Sequence, residues 1–104
     1  MPRVGFTMKL LEGQSAEYQL RHQQLWPELG ALLKATGIER YSIFLDQPSN
    51  TLFACLDISD PAALDRLRQE ALMWKWWDYM KDIMETNADH SPVTGPLREL
   101  FYLP

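Results

Sequence analysis

Hydrophobic and polar positions alternate from Arg3 to Leu10. Val4, Phe6, Met8 and Leu10 fall on one side and Arg3, Gly5, Thr7 and Lys9 on the other, the period of a strand with one covered face. Gly13-Gln14-Ser15 breaks the alternation, and Ser15 is placed to cap a helix whose first turn carries Glu17. From there the spacing is helical: Leu25, Leu29, Leu32 and Leu33 form one apolar stripe, predicting a helix to about Thr36 that ends at Gly37. Pro27 lacks the backbone donor that would satisfy the carbonyl of Gln23, so a kink is expected there.

Ile38 to Leu45 alternates again, with Tyr41, Ile43 and Leu45 on a common face, and Asp46-Gln47-Pro48-Ser49-Asn50 is a turn cluster. Thr51 to Ile58 reads as the returning strand of a hairpin. Asp60-Pro61 then opens a second helical region as N-cap and first helical residue. Its stripe runs through Leu64, Leu67 and Ala71 and continues in Trp74, Trp76, Trp77, Met80, Ile83 and Met84. Asn87 to Pro96 has no period, and Leu97 to Leu103 is expected to form a last short strand. The order strand, helix, strand, strand, helix, strand predicts an α+β fold of the ferredoxin-like βαββαβ type, a single domain over residues 1–104. Its antiparallel sheet carries both helices on one face. The other sheet face then lies open in a monomer. With the aromatic tail Phe101-Tyr102, this leads us to expect a homodimer with facing sheets.

Composition narrows the function. The net charge of −4 and an isoelectric point near 5.0 argue against a nucleic-acid partner, which requires a basic face. The single Cys55 allows no internal disulfide and suits a reducing compartment; its apolar strand context reads as core packing. The chain passes from Met1-Pro2-Arg3 directly into a strand, and no apolar run approaches the roughly 18 residues of a membrane span. A soluble, cytoplasmic protein with no membrane partner is expected.

Tyr18 and His22 stand four residues apart on the stripe that carries Leu25 and Leu29, so both are aimed inward. Buried polar groups must find partners or meet a ligand, and imidazole exchanges protons near neutral pH. Two readings stand for His22: a core histidine satisfied by backbone, or an acid–base group. Tyr41 is likewise either a core tyrosine with its hydroxyl reaching the surface or a ligand contact. Adjacent Trp76 and Trp77 diverge by about 100° around a helix, so they cannot pack alike. They can serve as core, as dimer contact or as a stacking surface for a sugar ring. His90, between Asp89 and Ser91, reads as solvated, and Asp78 and Asp82 as exposed neighbours. Metal-ligand spacing, a Gly-rich phosphate loop and a nucleophile elbow are all missing, and the carboxylates lack the pairing of glycoside cleavage. What remains is acid–base chemistry with no metal and no cofactor.

Several strings are more specific. In order they are Glu17-Tyr18, Arg21-His22, Leu25-Trp26-Pro27-Glu28-Leu29, Tyr41-Ser42-Ile43-Phe44-Leu45, Trp76-Trp77-Asp78-Tyr79-Met80, Asn87-Ala88-Asp89-His90-Ser91-Pro92 and Phe101-Tyr102-Leu103-Pro104. On these the chain resembles L-rhamnose mutarotases from end to end. The resemblance implies a dimeric ferredoxin-like fold of the α/β-barrel type. It also implies cofactor-free interconversion of the α and β anomers of L-rhamnopyranose in cytoplasmic rhamnose use. It puts the proton donor at His22 and substrate contacts at Tyr18, Tyr41, Trp76 and Trp77, with Tyr18 also expected to relay protons. The fold alone leaves alternatives, a cofactor-free monooxygenase, a haem-degrading enzyme and a non-catalytic sugar-binding or interaction module; the resemblance favours the mutarotase.

Overall fold

The alternating segment at the start of the chain forms strand β1 (Arg3–Lys9), which lies inside the sheet in a computed structural model describing all 104 residues. The remaining elements are α1 (Ser15–Gln23), α2 (Pro27–Ala35), β2 (Ile38–Asp46), β3 (Thr51–Ile58), α3 (Ala63–Leu67), α4 (Ala71–Met80) and β4 (Gly95–Leu97). The sheet is antiparallel with order β2-β3-β1-β4, the expected βαββαβ arrangement. Met8, Leu52, Ala54, Leu56 and Ile58 are buried on the face that meets the helices. There they join Tyr18, Leu29, Trp76 and Met80 in one cluster and Ile38, Ala63 and Leu67 in a second. None of the helices is long and apolar enough to cross a membrane.

Both predicted long helices are split. The residue before a proline is pushed out of the helical region, and Trp26 is accordingly extended at ψ 128°. Pro27 therefore starts α2 as its first residue, a position where its missing N–H costs nothing, instead of kinking a continuous helix. Ser15 is helical and caps nothing: Gln14 holds the cap position, and its carbonyl accepts from the Tyr18 N–H at 2.9 Å. In the second region the Asp60 carboxylate accepts from the Ala62 N–H at 3.1 Å, and α3 begins only at Ala63. An extended Glu70 separates α3 from α4, and the Trp74 indole N–H bonds the Arg68 carbonyl at 2.7 Å across the break. Ile83 and Met84 lie beyond α4 but remain buried, Met84 bridging to Leu10.

The last strand comes earlier and is shorter than expected. Gly95–Leu97 pairs with Gly5, Phe6 and Thr7, whereas Leu100, Phe101 and Leu103 are exposed and Tyr102 turns back over the Arg3 guanidinium at 4.2 Å. A run of consecutive apolar residues marks no single face, so the tail lacked the alternation that made β1 readable. Cys55 is also not core. Its neighbours Ala54 and Leu56 take the inner face, and Cys55 is half-buried on the outer one between Gly5 and Ser42.

Gly37 stops α2 as expected, at φ +96° with its N–H bonding the Lys34 carbonyl at 2.9 Å. A Cβ there would also meet the Ser59 hydroxyl oxygen at 2.5 Å. Gly37→Ala should therefore destabilise the fold by about 1–2 kcal/mol or more, the cost of holding an L-residue left-handed. Urea titration checks this, and an unchanged midpoint would contradict it.

One irregularity decides which side chains reach the site. Glu39 is opposite Asp57 and Ser42 opposite Cys55, so Arg40 and Tyr41 together occupy the place facing Leu56. This is a β-bulge with Arg40 left-handed at φ 48°. The extra residue brings Tyr41, Ile43 and Leu45 to the same side as Ile38, although their numbers differ in parity.

Candidate active site

A cavity of about 1020 Å³ lies between the sheet and the helices. Tyr18 and His22 enter from α1, Tyr41 from β2 next to the bulge, Trp76 and Trp77 from α4, and Ser91 and Pro92 from the loop before β4. All five residues singled out in the sequence thus line one cavity. Residues of both apolar clusters contribute to its lining, Leu29 and Trp76 from one and Ile38 and Leu67 from the other.

The imidazole is held from three sides. The Tyr18 ring lies 4.2 Å from it, the Trp76 ring meets it edge-on at 5.5 Å, and its Nδ1 is 3.0 Å from the Tyr18 carbonyl. A carbonyl can only accept, so Nδ1 carries the hydrogen and donates it. Nε2 is then left with its lone pair as the nitrogen available to the cavity. Burial pushes the His22 pKa below its ordinary value, against a smaller upward pull from the Tyr18 carbonyl. At neutral pH His22 is an uncharged imidazole.

Both phenols are held protonated. Burial, and secondarily the nearby Tyr41, raises Tyr18 well above the ordinary phenol value. Desolvation pushes Tyr41 up to about 12. Tyr41 is nonetheless 38% solvent-accessible. The exposure counts the whole residue, whereas the shift follows the burial of the hydroxyl alone. Trp76 is buried edge-on to Trp26 at 5.0 Å, while Trp77 is half-buried, so one packs more deeply than the other.

Arg21 is a structural element of the site that was not anticipated from the sequence. Only 11% of its side chain is exposed. Nε donates to Glu17 at 2.7 Å, while the two terminal nitrogens donate to the Tyr79 carbonyl at 2.8 Å and to the Asp82 carboxylate at 2.8 and 3.1 Å. Arg21 thereby ties the helix bearing Tyr18 and His22 to the end of the helix bearing Trp76 and Trp77. The Glu17/Arg21 spacing of four was the available signal; the link to Asp82 had none. Asp82 is exposed as expected but engaged, and its carboxyl is held below the usual range mainly by the Arg21 hydrogen bond.

His90 is not simply solvated. Its backbone is left-handed at φ 70°, and Nδ1 sits 3.0 Å from the Asp78 carboxylate. The loop around it is stapled by Asn87 donating to the Ser91 hydroxyl at 3.0 Å and by the Ser91 N–H on Asp89 at 3.0 Å. Ser91, buried and part of the cavity wall, was not anticipated.

Chemically, the site offers one titratable nitrogen, two phenol hydroxyls and two indole faces. That set suits a polyhydroxylated ring with an apolar side. The sequence profile of the family described as L-rhamnose mutarotase matches residues 3–103. A relative of that name from Formosa agariphila is 50% identical over 103 residues, 99% of each chain. One from Acidiphilium cryptum is 49% identical over the full length of both. The crystal structure of an L-rhamnose mutarotase from Formosa agariphila superimposes with a TM-score of 0.93 at 48% identity, covering all of both chains. A dimeric ferredoxin-like protein from an uncultured marine organism reaches a TM-score of 0.58 at 11% identity over 97% of this chain and 96% of its own, a likeness of fold alone.

Proposed function

The chain belongs to the L-rhamnose mutarotase family and is an isomerase acting on the anomeric centre, and we propose that His22 is its proton donor. L-rhamnopyranose occupies the cavity with its ring oxygen at His22 Nε2. Protonation of that oxygen, with loss of the proton from the anomeric hydroxyl, opens the hemiacetal to the aldehyde. Rotation about the bond between the first two carbons and reclosure give the other anomer. The observation that carries this reading is the Nδ1 bond to the Tyr18 carbonyl, which fixes the ring and leaves Nε2 for the sugar.

The Tyr18 hydroxyl orients the sugar by hydrogen-bonding a neighbouring oxygen, and the Tyr41 hydroxyl binds sugar hydroxyls. Trp76 and Trp77 pack on the apolar side of the ring and its methyl group. No observation at the site favours the monooxygenase alternative. Saturation-transfer NMR between the two anomeric protons of L-rhamnose tests the reading. Transfer dependent on the protein is expected, and none from folded protein would overturn it.

The outer sheet face supports a homodimer. Phe44 and Phe53 stand directly opposite each other there, 68% and 40% exposed, and exposed Leu97 lies on the same face across β1. Large apolar side chains exposed together on one sheet face are unusual on a monomer. The wild type should sediment as a dimer at micromolar concentration, and Phe44→Asp combined with Phe53→Asp as a monomer. A double variant that stays dimeric rules out facing sheets. We place the reaction in the cytoplasm, where an unpaired Cys55 is stable.

A further inference from the structure

We infer that Nε2 of His22 is the sole proton-transfer site of the reaction, acting first as base toward the anomeric hydroxyl and then as acid toward the ring oxygen. This rests on the mutarotase reading and goes beyond it, since ring opening is ordinarily drawn with a separate acid and base.

The chain has 14 acidic residues, yet no Asp or Glu side chain lines the cavity. The carboxylates within two residues of Tyr18, Tyr41 and Trp77 are committed elsewhere: Glu17 to Arg21, Glu39 to Arg40, Asp78 to Lys81 and His90. Of the groups that do line it, Ser15, Ser91, Thr94, Gln19 and Gln47 exchange no protons near neutrality, and the Arg68 guanidinium is a hydrogen-bond donor with no acceptor. Tyr18 and Tyr41 remain protonated, because burial holds both phenols above their ordinary value. They can donate hydrogen bonds but cannot take a proton. His22 is left, and one of its two nitrogens is engaged by the helix backbone.

One nitrogen suffices because the two oxygens involved are bonded to the same carbon. A lone pair set between them is within hydrogen-bond reach of both. Nε2 takes the proton of the anomeric hydroxyl; the O–H electron pair becomes the second bond of the new carbonyl. The bond from the anomeric carbon to the ring oxygen breaks with its electron pair on that oxygen, which takes the proton from Nε2. The imidazole returns to its starting state, nothing is oxidised or reduced, and reclosure is the same sequence reversed. The proton His22 donates is the one it has just collected. A resting neutral imidazole, which its half-buried position enforces, is therefore the competent form.

The test is the pH dependence of kcat/KM for enzyme-dependent exchange, from about pH 5 to about pH 10, for the wild type, Tyr18→Phe, Tyr41→Phe and His22→Ala. The expected wild-type profile has a single acid limb, falling about tenfold per pH unit below the imidazole pKa, and is flat above it. Both phenylalanine variants should keep that shape with a lower plateau, and His22→Ala should lose the limb with the activity. A bell-shaped profile overturns the inference, because it reports a second titrating group, from this chain or a partner subunit. Activity that falls as pH rises through neutrality also overturns it, by making the imidazolium the resting acid. Absence of exchange at every pH removes the mutarotase reading and the inference together.

Discussion

Replacing His22 with alanine will lower L-rhamnose anomer exchange by roughly 10²–10⁴-fold, the usual contribution of a positioned acid–base group. The loss measured by saturation transfer should fall on kcat with KM little changed, since the residual pocket of Tyr18, Tyr41, Trp76 and Trp77 still binds the sugar. Stability supplies the control. The folded-state pKa of His22 lies below the unfolded value of 6.5, so the unfolded chain binds the proton more readily. The wild type consequently loses stability as pH falls through about 6.5 toward the folded-state pKa, and none of this cost is present at higher pH. His22→Ala removes the titrating group and should be less acid-sensitive over that window. A variant that retained full exchange activity would remove His22 from the mechanism while leaving the family assignment standing.

Leu29→Ala will produce the largest loss of stability of any single truncation considered. Leu29 is 1% exposed and packs in the cluster that contains Tyr18, Trp76 and Met80. Truncating such a leucine costs about 2–5 kcal/mol, from lost transfer energy plus the cavity left behind. For a domain of this length each kcal/mol lowers the melting temperature by roughly 4–8 °C, so a fall of about 10 °C or more is expected. Leu20, on the preceding helix but 45% exposed, is the comparison, and Leu20→Ala should stay within about 0.5 kcal/mol. Equal effects at the two positions would contradict the core as described.

Periodicity served well where a single rule governed a segment. Val4, Phe6 and Met8 alternate because β1 has one covered face, and Tyr18 and His22 share a stripe because α1 is regular. It failed where two rules met. The stripe from Tyr18 to Leu33 is real, but the proline restriction at Trp26 divides it into two helices. The strand expected at Leu97–Leu103 followed apolar content without alternation, and the sheet stops at Leu97.

The site was legible as a set of residues and illegible as an arrangement. Tyr41 was placed on the correct face with Ile43 and Leu45. Its alignment with buried Ile38 depends on a bulge that no glycine or proline announces, because left-handed Arg40 makes it. The Arg21–Asp82 and His90–Asp78 links join residues far apart in the chain or across a turn, and local spacing carries no record of such pairs.

The sheet order has a consequence for how the molecule assembles. β1 is an inner strand whose two neighbours are β3, roughly half the chain away, and β4, reached through contacts such as Thr7 with Gly95, which are 88 residues apart. Such separations raise contact order, and loop-closure entropy must be met before these pairings stabilise anything. The hairpin of β2 and β3 is local and can form first, offering β3 as an edge on which β1 adds. The loop carrying Ser91 and Pro92 is stapled within itself but joined to the sheet through β4, which pairs with β1. The cavity wall is thus completed by a pairing of the longest sequence separation in the sheet, and acquisition of activity during refolding should lag behind formation of the hairpin.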